Sequence, residues 1–205
     1  MSRPRLLLLH GWGFDASLWD DVCAALPEFA AIRADRGYFG NTVPCSDNPT
    51  LAIGHSLGAL LLATELPLHI PLIAINGFDR FTGPDSIPPR VLARMQRRFL
   101  ESPETVLTEF RARCGGDVPT PAFHREILAT DLLLLGSLDA RSTIHGRSLM
   151  VLHGAHDPIL PPVMRNSVFA GSPRATHPDA GHLLPRTHPA WCAEQIRTLY
   201  RLLCP

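Results

Sequence analysis

The chain has 205 residues, of which 45% are hydrophobic and 19% are charged, and its formal net charge is zero. This length suits one domain with a sizeable core, and the neutral balance excludes a general binder of nucleic acids or other polyanions. The five cysteines are scattered and form no C-x-x-C pair, which argues against a disulfide framework or a zinc site and favours a reducing compartment.

The N-terminus carries two arginines, Arg3 and Arg5, followed by leucines, and so superficially resembles a secretory signal. The apolar run at residues 6–9 is too short for a signal core. No other run approaches the roughly 20 apolar residues that cross a bilayer as a helix. We therefore expect a cytoplasmic protein with no membrane partner.

Short apolar runs alternate with amphipathic stretches in the first part of the chain, a pattern typical of a parallel sheet with crossover helices. Helices are predicted at residues 17–26, where Leu18, Val22 and Leu26 share one face, and at residues 57–66. The strands predicted here are Arg5–Leu9, Ala30–Ala34, residues 50–53 and Leu72–Ile75.

Three consecutive helices with no strand between them are predicted from residue 88 to residue 135. They are Pro89–Glu101, a helix that begins at Pro103 with Ser102 as its N-cap, and residues 121–135. The sheet resumes at residues 148–152 and near Ala175, and Pro189–Leu203 is the final helix. A helical insertion between two strands is typical of a cap over an active site. We expect one domain, residues 1–205, with a helical cap at 80–146.

The pentapeptide Gly54-His55-Ser56-Leu57-Gly58 has the pattern G-x-S-x-G and lies where a predicted strand passes into a predicted helix. A sharp turn at such a junction strains the serine backbone and lifts the hydroxyl clear of the sheet. The glycines are needed because strand and helix leave no room for a side chain. We predict that Ser56 is a nucleophile. An ordinary serine in a glycine-flanked turn is the alternative.

A serine nucleophile needs a base and an orienting acid, which follow it in the order Ser, Asp or Glu, His in this type of site. His182 lies in a loop before the last helix. Asp157 follows the strand at 148–152, at the carboxyl edge of the sheet where open α/β sheets build their sites. We predict that these two are the base and the acid. The alternatives, which could equally be loop or cap residues, are His177, His188, Asp139 and Asp179.

The loop after the first strand contains Trp12 between Gly11 and Gly13. In such sites one oxyanion donor comes from this loop and the other from the residue after the nucleophile. We predict that the backbone N–H groups of Trp12 and Leu57 form the oxyanion hole. Trp12 could also be a core residue, and both roles can hold together.

His153 and His156 flank Asp157 and suggest a metal pair at first sight. They lie on an irregular turn, however, and no third ligand has suitable spacing. We expect no metal and no other cofactor.

With these motifs in place, the chain resembles the α/β-hydrolase superfamily over most of its length, and within it the pimeloyl-[acyl-carrier protein] methyl ester esterases of biotin synthesis. The similar stretches are LLHGWG at 8–13 with Trp19, GHSLG at 54–58, SLDAR at 137–141 and AGH at 180–182. The family often has tryptophan at the position of His55. The resemblance implies a reduced fold, because the first two strands and the helix expected within 35–49 are missing. It would be a mostly parallel sheet with helices on both faces and a small helical cap.

The resemblance also implies residues that bind substrate. The stretch EFRARCG at 109–115 falls where the family has a Phe-led segment in contact with the substrate. Around the ester, Trp12, Ser56, Leu57 and His182 would contact the substrate. The residues expected to line the acyl channel are Phe110, Arg111, Ala112, Arg113 and Cys114.

Four arginines share one face of the first predicted cap helix, at i, i+4, i+7 and i+8. In a chain of zero net charge this local concentration is informative, and it suits an acidic acyl carrier protein as partner. A solvated helix surface is the alternative. The four are Arg90, Arg94, Arg97 and Arg98.

The expected function is hydrolysis of the methyl ester of a carrier-protein-bound dicarboxylyl chain in biotin synthesis, by a monomer. Two alternatives stay open. One is a carboxylesterase, lactonase or thioesterase that acts on free metabolites. The other is a non-catalytic binding protein with a hydrolase fold, since a fold alone does not imply a function.

Overall fold

A computed structural model of the chain describes residues 3–40, 42–45, 48–117 and 122–203. Its centre is a six-stranded sheet with the strand order β2-β1-β3-β4-β5-β6. Every pairing between neighbouring strands is parallel. The strands are β1 Arg5–Leu9, β2 Ala30–Ala34, β3 Leu51–His55, β4 Leu72–Ile75, β5 Leu149–Gly154 and β6 Arg174–His177.

The burial of each strand follows its place in the sheet. The inner strands β3 and β4 are buried at every position, as expected where helices cover both faces of a parallel sheet. The edge strands β2 and β6 alternate between more and less exposed residues instead. Because β1, β3, β4 and β5 are adjacent and parallel, their carboxyl ends lie next to one another at one edge of the sheet.

Helices connect the strands, and three of them lie between β4 and β5 in the chain. None of the helices in the described ranges is long and apolar enough to cross a membrane. Before β2 come the 3-10 helix Ala16–Trp19 and α1 Asp20–Ala24. The others are α2 Leu57–Glu65, α3 Pro89–Glu101, α4 Pro103–Cys114, α5 Arg125–Ser137, α6 Pro162–Ser167, α7 Leu184–Thr187 and α8 Pro189–Leu203.

The helices α3, α4 and α5, named here the helical insertion, share the core of the sheet domain. Leu92, Phe99, Leu107 and Leu128 are buried in the same hydrophobic cluster as the strands. The predicted α/β fold with a mostly parallel sheet is confirmed. The division into a domain and a cap at 80–146 stays a prediction.

Several predicted elements differ from the structure in detail. The helix predicted at 17–26 is a 3-10 turn followed by a short α-helix, because the Asp15 carboxylate accepts from Ser17 N at 2.9 Å and tightens the first turn. Ser102 lies at the N-cap of α4 but its side chain makes no capping hydrogen bond. The third insertion helix begins at Arg125, and residues 118–121 lie outside the described ranges. The short helices α6 and α7 were not predicted.

Candidate active site

Ser56 occupies the sharp turn between β3 and α2. Its φ is 52° and its ψ is −121°, a backbone conformation that a residue with a side chain rarely adopts. Such strain persists only where the surrounding structure enforces it, and it clusters at functional sites. Only 6% of the residue is exposed.

The two glycines of the pentapeptide are required by close packing. A Cβ on Gly54 would lie 2.5 Å from the backbone nitrogen of Ala59, and one on Gly58 would lie 2.5 Å from the carbonyl oxygen of His10. Real Cβ atoms do not approach backbone so closely. The turn that presents Ser56 thus depends on both glycines, as the sequence predicted.

His182 and Asp157 come together in a buried hydrogen bond. The distance from His182 Nδ1 to Asp157 Oδ2 is 2.8 Å, and neither side chain is exposed. Asp157 Oδ1 accepts from Ile159 N at 2.7 Å and from Leu160 N at 3.1 Å. The acid is thereby fixed by its own turn after β5.

The electrostatics of this pair define which histidine nitrogen carries the proton. Burial acts to raise the pKa of the Asp157 carboxyl, but His182 and the hydrogen bonds to the carboxylate outweigh it and hold that pKa below its ordinary value. An ionised carboxylate only accepts, so His182 Nδ1 must donate and Nε2 holds a lone pair. Nε2 is buried and has no hydrogen-bond partner among the described residues. It is therefore available as a base.

Two backbone N–H groups near Ser56 are unpaired. A Cβ on Gly11 would lie 2.8 Å from Ser56 Cβ, which shows how closely the loop after β1 approaches Ser56. Within the described ranges, neither Trp12 N–H nor Leu57 N–H has an acceptor. Leu57 opens α2, where the helix leaves its first N–H groups free and carries partial positive charge.

The Trp12 side chain has a structural role as well. It is 2% exposed, its Nε1 donates to Leu128 O at 2.8 Å, and its ring packs against Phe99 and Phe110 at centroid distances of 5.7 and 5.0 Å. Trp12 therefore combines a buried side chain with a backbone N–H that has no acceptor among the described residues. The loop after β1 is joined to the helical insertion through this side chain.

The alternative bases and acids lie in other contacts. The His177 and His188 rings stack on each other at 3.9 Å between centroids. Asp139 pairs with Arg141 at 2.5 Å. Asp179 is exposed. Of the candidate pairs, the structure brings only His182 and Asp157 together within the residues that it describes.

The segment predicted to line the acyl channel is divided among different environments. Phe110 is half-buried and packs on Trp12. Arg111 is 8% exposed, donates to Gly13 O at 2.7 Å and lies 5.2 Å from the ring centroids of Phe14 and Phe39. Its guanidinium is therefore already engaged by protein groups.

The remaining residues of the segment are 112–114, and one of them contacts the turn after β5 that carries Asp157. Ala112 and Arg113 are exposed, and Arg113 Nη2 donates to Pro158 O at 2.9 Å. Cys114 is buried, and burial raises the pKa of its thiol. Of the five predicted channel residues, Phe110 is the one whose ring packs against Trp12 in the loop after β1.

A cavity of about 300 Å³ is lined by residues of α3 and α4 and is named here the α3/α4 groove. Arg94 and Arg98 line it, and Arg98 also pairs with Glu109 at 2.9 Å. Arg90 and Arg97 are exposed on the same helix but are not among its lining residues. The remaining lining residues are Val91, Met95, Val106, Glu109, Phe110 and Arg113.

Two buried residues next to the site have contacts that the sequence did not predict. Asn76 follows β4 and is fully buried, with its side chain bonded to the His182 loop. His55 is also fully buried, and its Nε2 lies 2.9 Å from the carbonyl oxygen of His182. An asparagine directly after a buried strand and before Gly77 is a signal for a special turn, which could have identified Asn76.

No cluster of three or more His, Cys, Asp or Glu side chains in the described residues could hold a metal ion.

Comparison with known proteins places this geometry in context. The profile of the alpha/beta hydrolase family matches residues 20–195. The biotin biosynthesis bifunctional protein BioHC of Cellvibrio japonicus is 30% identical, over 86% of this chain and 45% of that protein. The chain thus spans less than half the length of that relative. A pimeloyl-[acyl-carrier protein] methyl ester esterase of Vibrio atlanticus is 24% identical, over 77% of this chain and 78% of that one.

Solved structures share the fold. An esterase from Exiguobacterium antarcticum superposes with a TM-score of 0.80 at 17% identity, over 98% of this chain and 92% of that one. The enol-lactonase from Burkholderia xenovorans gives a TM-score of 0.74 at 18% identity, over the same shares of both chains. At these identities the likeness concerns the fold.

Proposed function

The chain belongs to the alpha/beta hydrolase family, and from this premise we propose that it is a serine carboxylesterase with Ser56 as nucleophile, His182 as base and Asp157 as acid. The observation that carries the proposal is the buried 2.8 Å contact between His182 Nδ1 and Asp157 Oδ2, which leaves Nε2 without a partner among the described residues. Ser56, with its strained backbone, directly follows His55, whose ring lies 4.8 Å from the His182 ring between centroids.

The mechanism follows from the groups present. His182 Nε2 takes the proton of Ser56 Oγ as that oxygen attacks the ester carbonyl, and the N–H groups of Trp12 and Leu57 stabilise the oxyanion. The protonated histidine then gives its proton to the departing alcohol. Water attacks the acyl-enzyme with His182 again as base, which releases the carboxylic acid and restores Ser56. Asp157 keeps the imidazole in the required tautomer throughout.

For the substrate, we propose a methyl ester at the end of a dicarboxylyl chain on an acyl carrier protein. The names of two relatives support an ester of this kind. The α3/α4 groove supports it too, because Phe110 on its lining packs against Trp12 of the oxyanion loop. Arginines around the groove suit an acidic carrier. In this proposal, residues 80–146 form the cap that the carrier contacts.

The carrier contact is centred on Arg94 in this proposal. Arg94 lines the α3/α4 groove and makes no hydrogen bond or ion pair within the described residues, whereas Arg98 is already paired with Glu109. Arg90 and Arg97 extend the basic surface along the exposed face of α3. In the segment 110–114, Phe110 is the residue that faces the acyl chain in this proposal.

The first experiment tests the nucleophile. Wild-type protein should react with a fluorophosphonate probe and hydrolyse p-nitrophenyl butyrate, and Ser56→Ala should abolish both. A matched control is Ser167→Ala, a serine on α6. A wild-type protein that neither labels nor turns over ester would leave a non-catalytic binding protein as the function.

The second experiment tests the substrate. Methanol release is measured from pimeloyl methyl ester on an acyl carrier protein and from the same ester as a free acid. The proposal predicts a higher kcat/KM for the carrier-bound ester. Turnover of small p-nitrophenyl esters with no cleavage of the carrier-bound ester would refute it, and would favour an esterase, lactonase or thioesterase of free metabolites.

A further inference from the structure

Asn76 is the first residue after β4 and lies where four strand ends of the sheet converge. It is fully buried and its φ is 44°. Asparagine tolerates this left-handed region better than most residues with a side chain. The turn directs its amide toward the loops after β5 and β6.

The Asn76 amide makes three hydrogen bonds. Its Oδ1 accepts from Gly154 N at 2.9 Å, and its Nδ2 donates to Gly181 O at 3.0 Å and to His182 O at 2.7 Å. The partners define the orientation of the amide, because one is a donor and two are carbonyl oxygens. One side chain therefore joins the strand that leads to Asp157 with the loop that carries His182.

The backbone around Asn76 adds the nucleophile to this connection. Ser56 N donates to Ile75 O at 3.0 Å, and Asn76 N donates to Leu152 O at 2.8 Å. The residue thus lies at the junction of the three segments that carry serine, acid and base.

The carbonyl of His182 has a second buried donor. His55 Nε2 lies 2.9 Å from it, and the two imidazole rings are 4.8 Å apart between centroids. Since a carbonyl only accepts, His55 must carry its proton on Nε2. Burial lowers the pKa of His55 to about 3, so this neutral tautomer persists at physiological pH.

The packing between the two loops is already close without the amide. A Cβ on Gly154 would lie 2.7 Å from the carbonyl carbon of Ala180. Backbone bonds from Ala155 N to His177 O and from His156 N to Ala180 O hold the histidine loop beside the acid turn. The side chains of Asn76 and His55 instead bond to the carbonyl oxygen of His182, two residues after Ala180.

We propose that Asn76 is a positioning residue that orients the backbone of His182, so that the imidazole meets Asp157 at Nδ1 while presenting Nε2 to Ser56. The inference rests on the proposed function, and it concerns how the His182 imidazole is oriented rather than which residue is the base. Displacements of about 1 Å in a reacting group can cost roughly 100-fold in rate.

Two variants test the inference. Asn76→Asp keeps the size and the acceptor for Gly154 N but replaces the donor by a carboxylate that faces two carbonyl oxygens. Asn76→Gly removes the amide and keeps the backbone freedom that a φ of 44° requires. The matched control is Asn48→Gly, an exposed asparagine with a φ of 54°.

The readouts are kcat and KM for p-nitrophenyl butyrate, the rate of fluorophosphonate labelling, and the Tm. At neutral pH both Asn76 variants should lose about 10- to 100-fold in kcat. KM should change less than about threefold, because the orientation of the His182 imidazole matters in the transition state and not for substrate binding. Asn48→Gly should match wild type. Asn76→Asp should recover part of its kcat relative to wild type as the pH falls, since a protonated carboxyl can again donate to His182 O.

The outcomes separate the two proposals. If the wild type labels at Ser56 and the folded Asn76 variants keep the wild-type kcat, this inference is wrong and the proposed function stands. If the wild type does not label, the proposed function fails. Should Asn76→Gly not fold, the isosteric Asn76→Asp carries the test through its pH profile, and a relative kcat independent of pH overturns the inference.

Discussion

Three of the buried histidines, His182, His55 and His153, differ in what their ring nitrogens contact. His182 donates to Asp157, and His55 donates to a carbonyl. In His153, which is 2% exposed, neither ring nitrogen has a partner within the described part of the chain. Burial lowers the pKa of His153 to about 4, so the ring stays neutral in the folded protein well below the ordinary histidine value of 6.5.

This residue should make the protein sensitive to mild acid. Between pH 6.5 and about 4 the unfolded chain binds a proton at residue 153 that the folded chain does not, so stability falls as the pH falls. In His153→Leu the free energy of unfolding should depend less steeply on pH, by up to about 1.4 kcal/mol per unit within that window. Urea denaturation at a series of pH values measures this.

The exposed His69 supplies the control, because His69→Leu should leave the slope unchanged. A His153→Leu protein with the wild-type pH dependence would show that the imidazole is protonated in the native state. Replacing a ring that has two unpaired nitrogens should also raise stability at neutral pH, since the cost of burying them disappears.

At the scale of elements, α4 connects the two sides of the proposed active site. Arg111 reaches the proposed oxyanion loop at Gly13 O, and Arg113 reaches the proposed acid turn at Pro158 O. The first of these contacts is buried and stacked between two rings, whereas the second is at the surface. The helix thus fixes the loop that carries Trp12 more firmly than it fixes the acid turn.

Arg111→Met should therefore lower kcat for a small ester by about 10-fold, because the loop that supplies the Trp12 N–H loses its hydrogen-bond donor. It should also cost about 1–3 kcal/mol of stability, since Gly13 O is left buried without a partner. Steady-state kinetics and chemical denaturation measure the two effects. The control is Arg201→Met at an exposed position of α8. An unchanged kcat would show that the loop keeps its conformation without this contact.

The sequence predicted elements well where one local signal decided them. The apolar run at residues 6–9 predicted strand β1, and the G-x-S-x-G pattern predicted the sharp turn at Ser56. Both signals are local, because burial and glycine packing act within a few residues. The helix at 17–26 was drawn too long, since the spacing of Leu18, Val22 and Leu26 does not reveal the tight turn set by Asp15.

The contacts of Asn76 and Arg111 could not be predicted in the same way. Asn76 bonds to residues 78 to 106 positions further along the chain, and Arg111 to a loop 98 positions before it. Such pairings depend on the strand order and on the placement of the helical insertion. The proposed triad was accessible because its order along the chain and its position at strand ends are recurrent.

At the scale of the whole molecule, charge is balanced overall but concentrated locally. The net charge is zero, yet α3 carries four exposed arginines along one face. Such a surface attracts an acidic partner at a distance of about one Debye length, which is roughly 10 Å at 0.1 M salt. A small neutral ester should not respond to it.

Salt should therefore separate the two substrates. Raising the ionic strength from about 0.05 to about 0.5 M should raise KM for the carrier-bound ester several-fold and leave p-nitrophenyl butyrate unaffected. Arg94→Glu combined with Arg97→Glu should abolish this dependence and reduce kcat/KM for the carrier-bound ester alone. Equal salt effects on both substrates would exclude a carrier contact at α3.

The hydrogen bond from Trp12 Nε1 to Leu128 O makes α5 a neighbour of the proposed oxyanion loop. Ser56 and His182 are 6% and 0% exposed beneath these elements of the chain. Any shift that carries α5 away also releases the indole and loosens the loop. The helical insertion and the loop after β1 are thereby coupled mechanically through one indole ring.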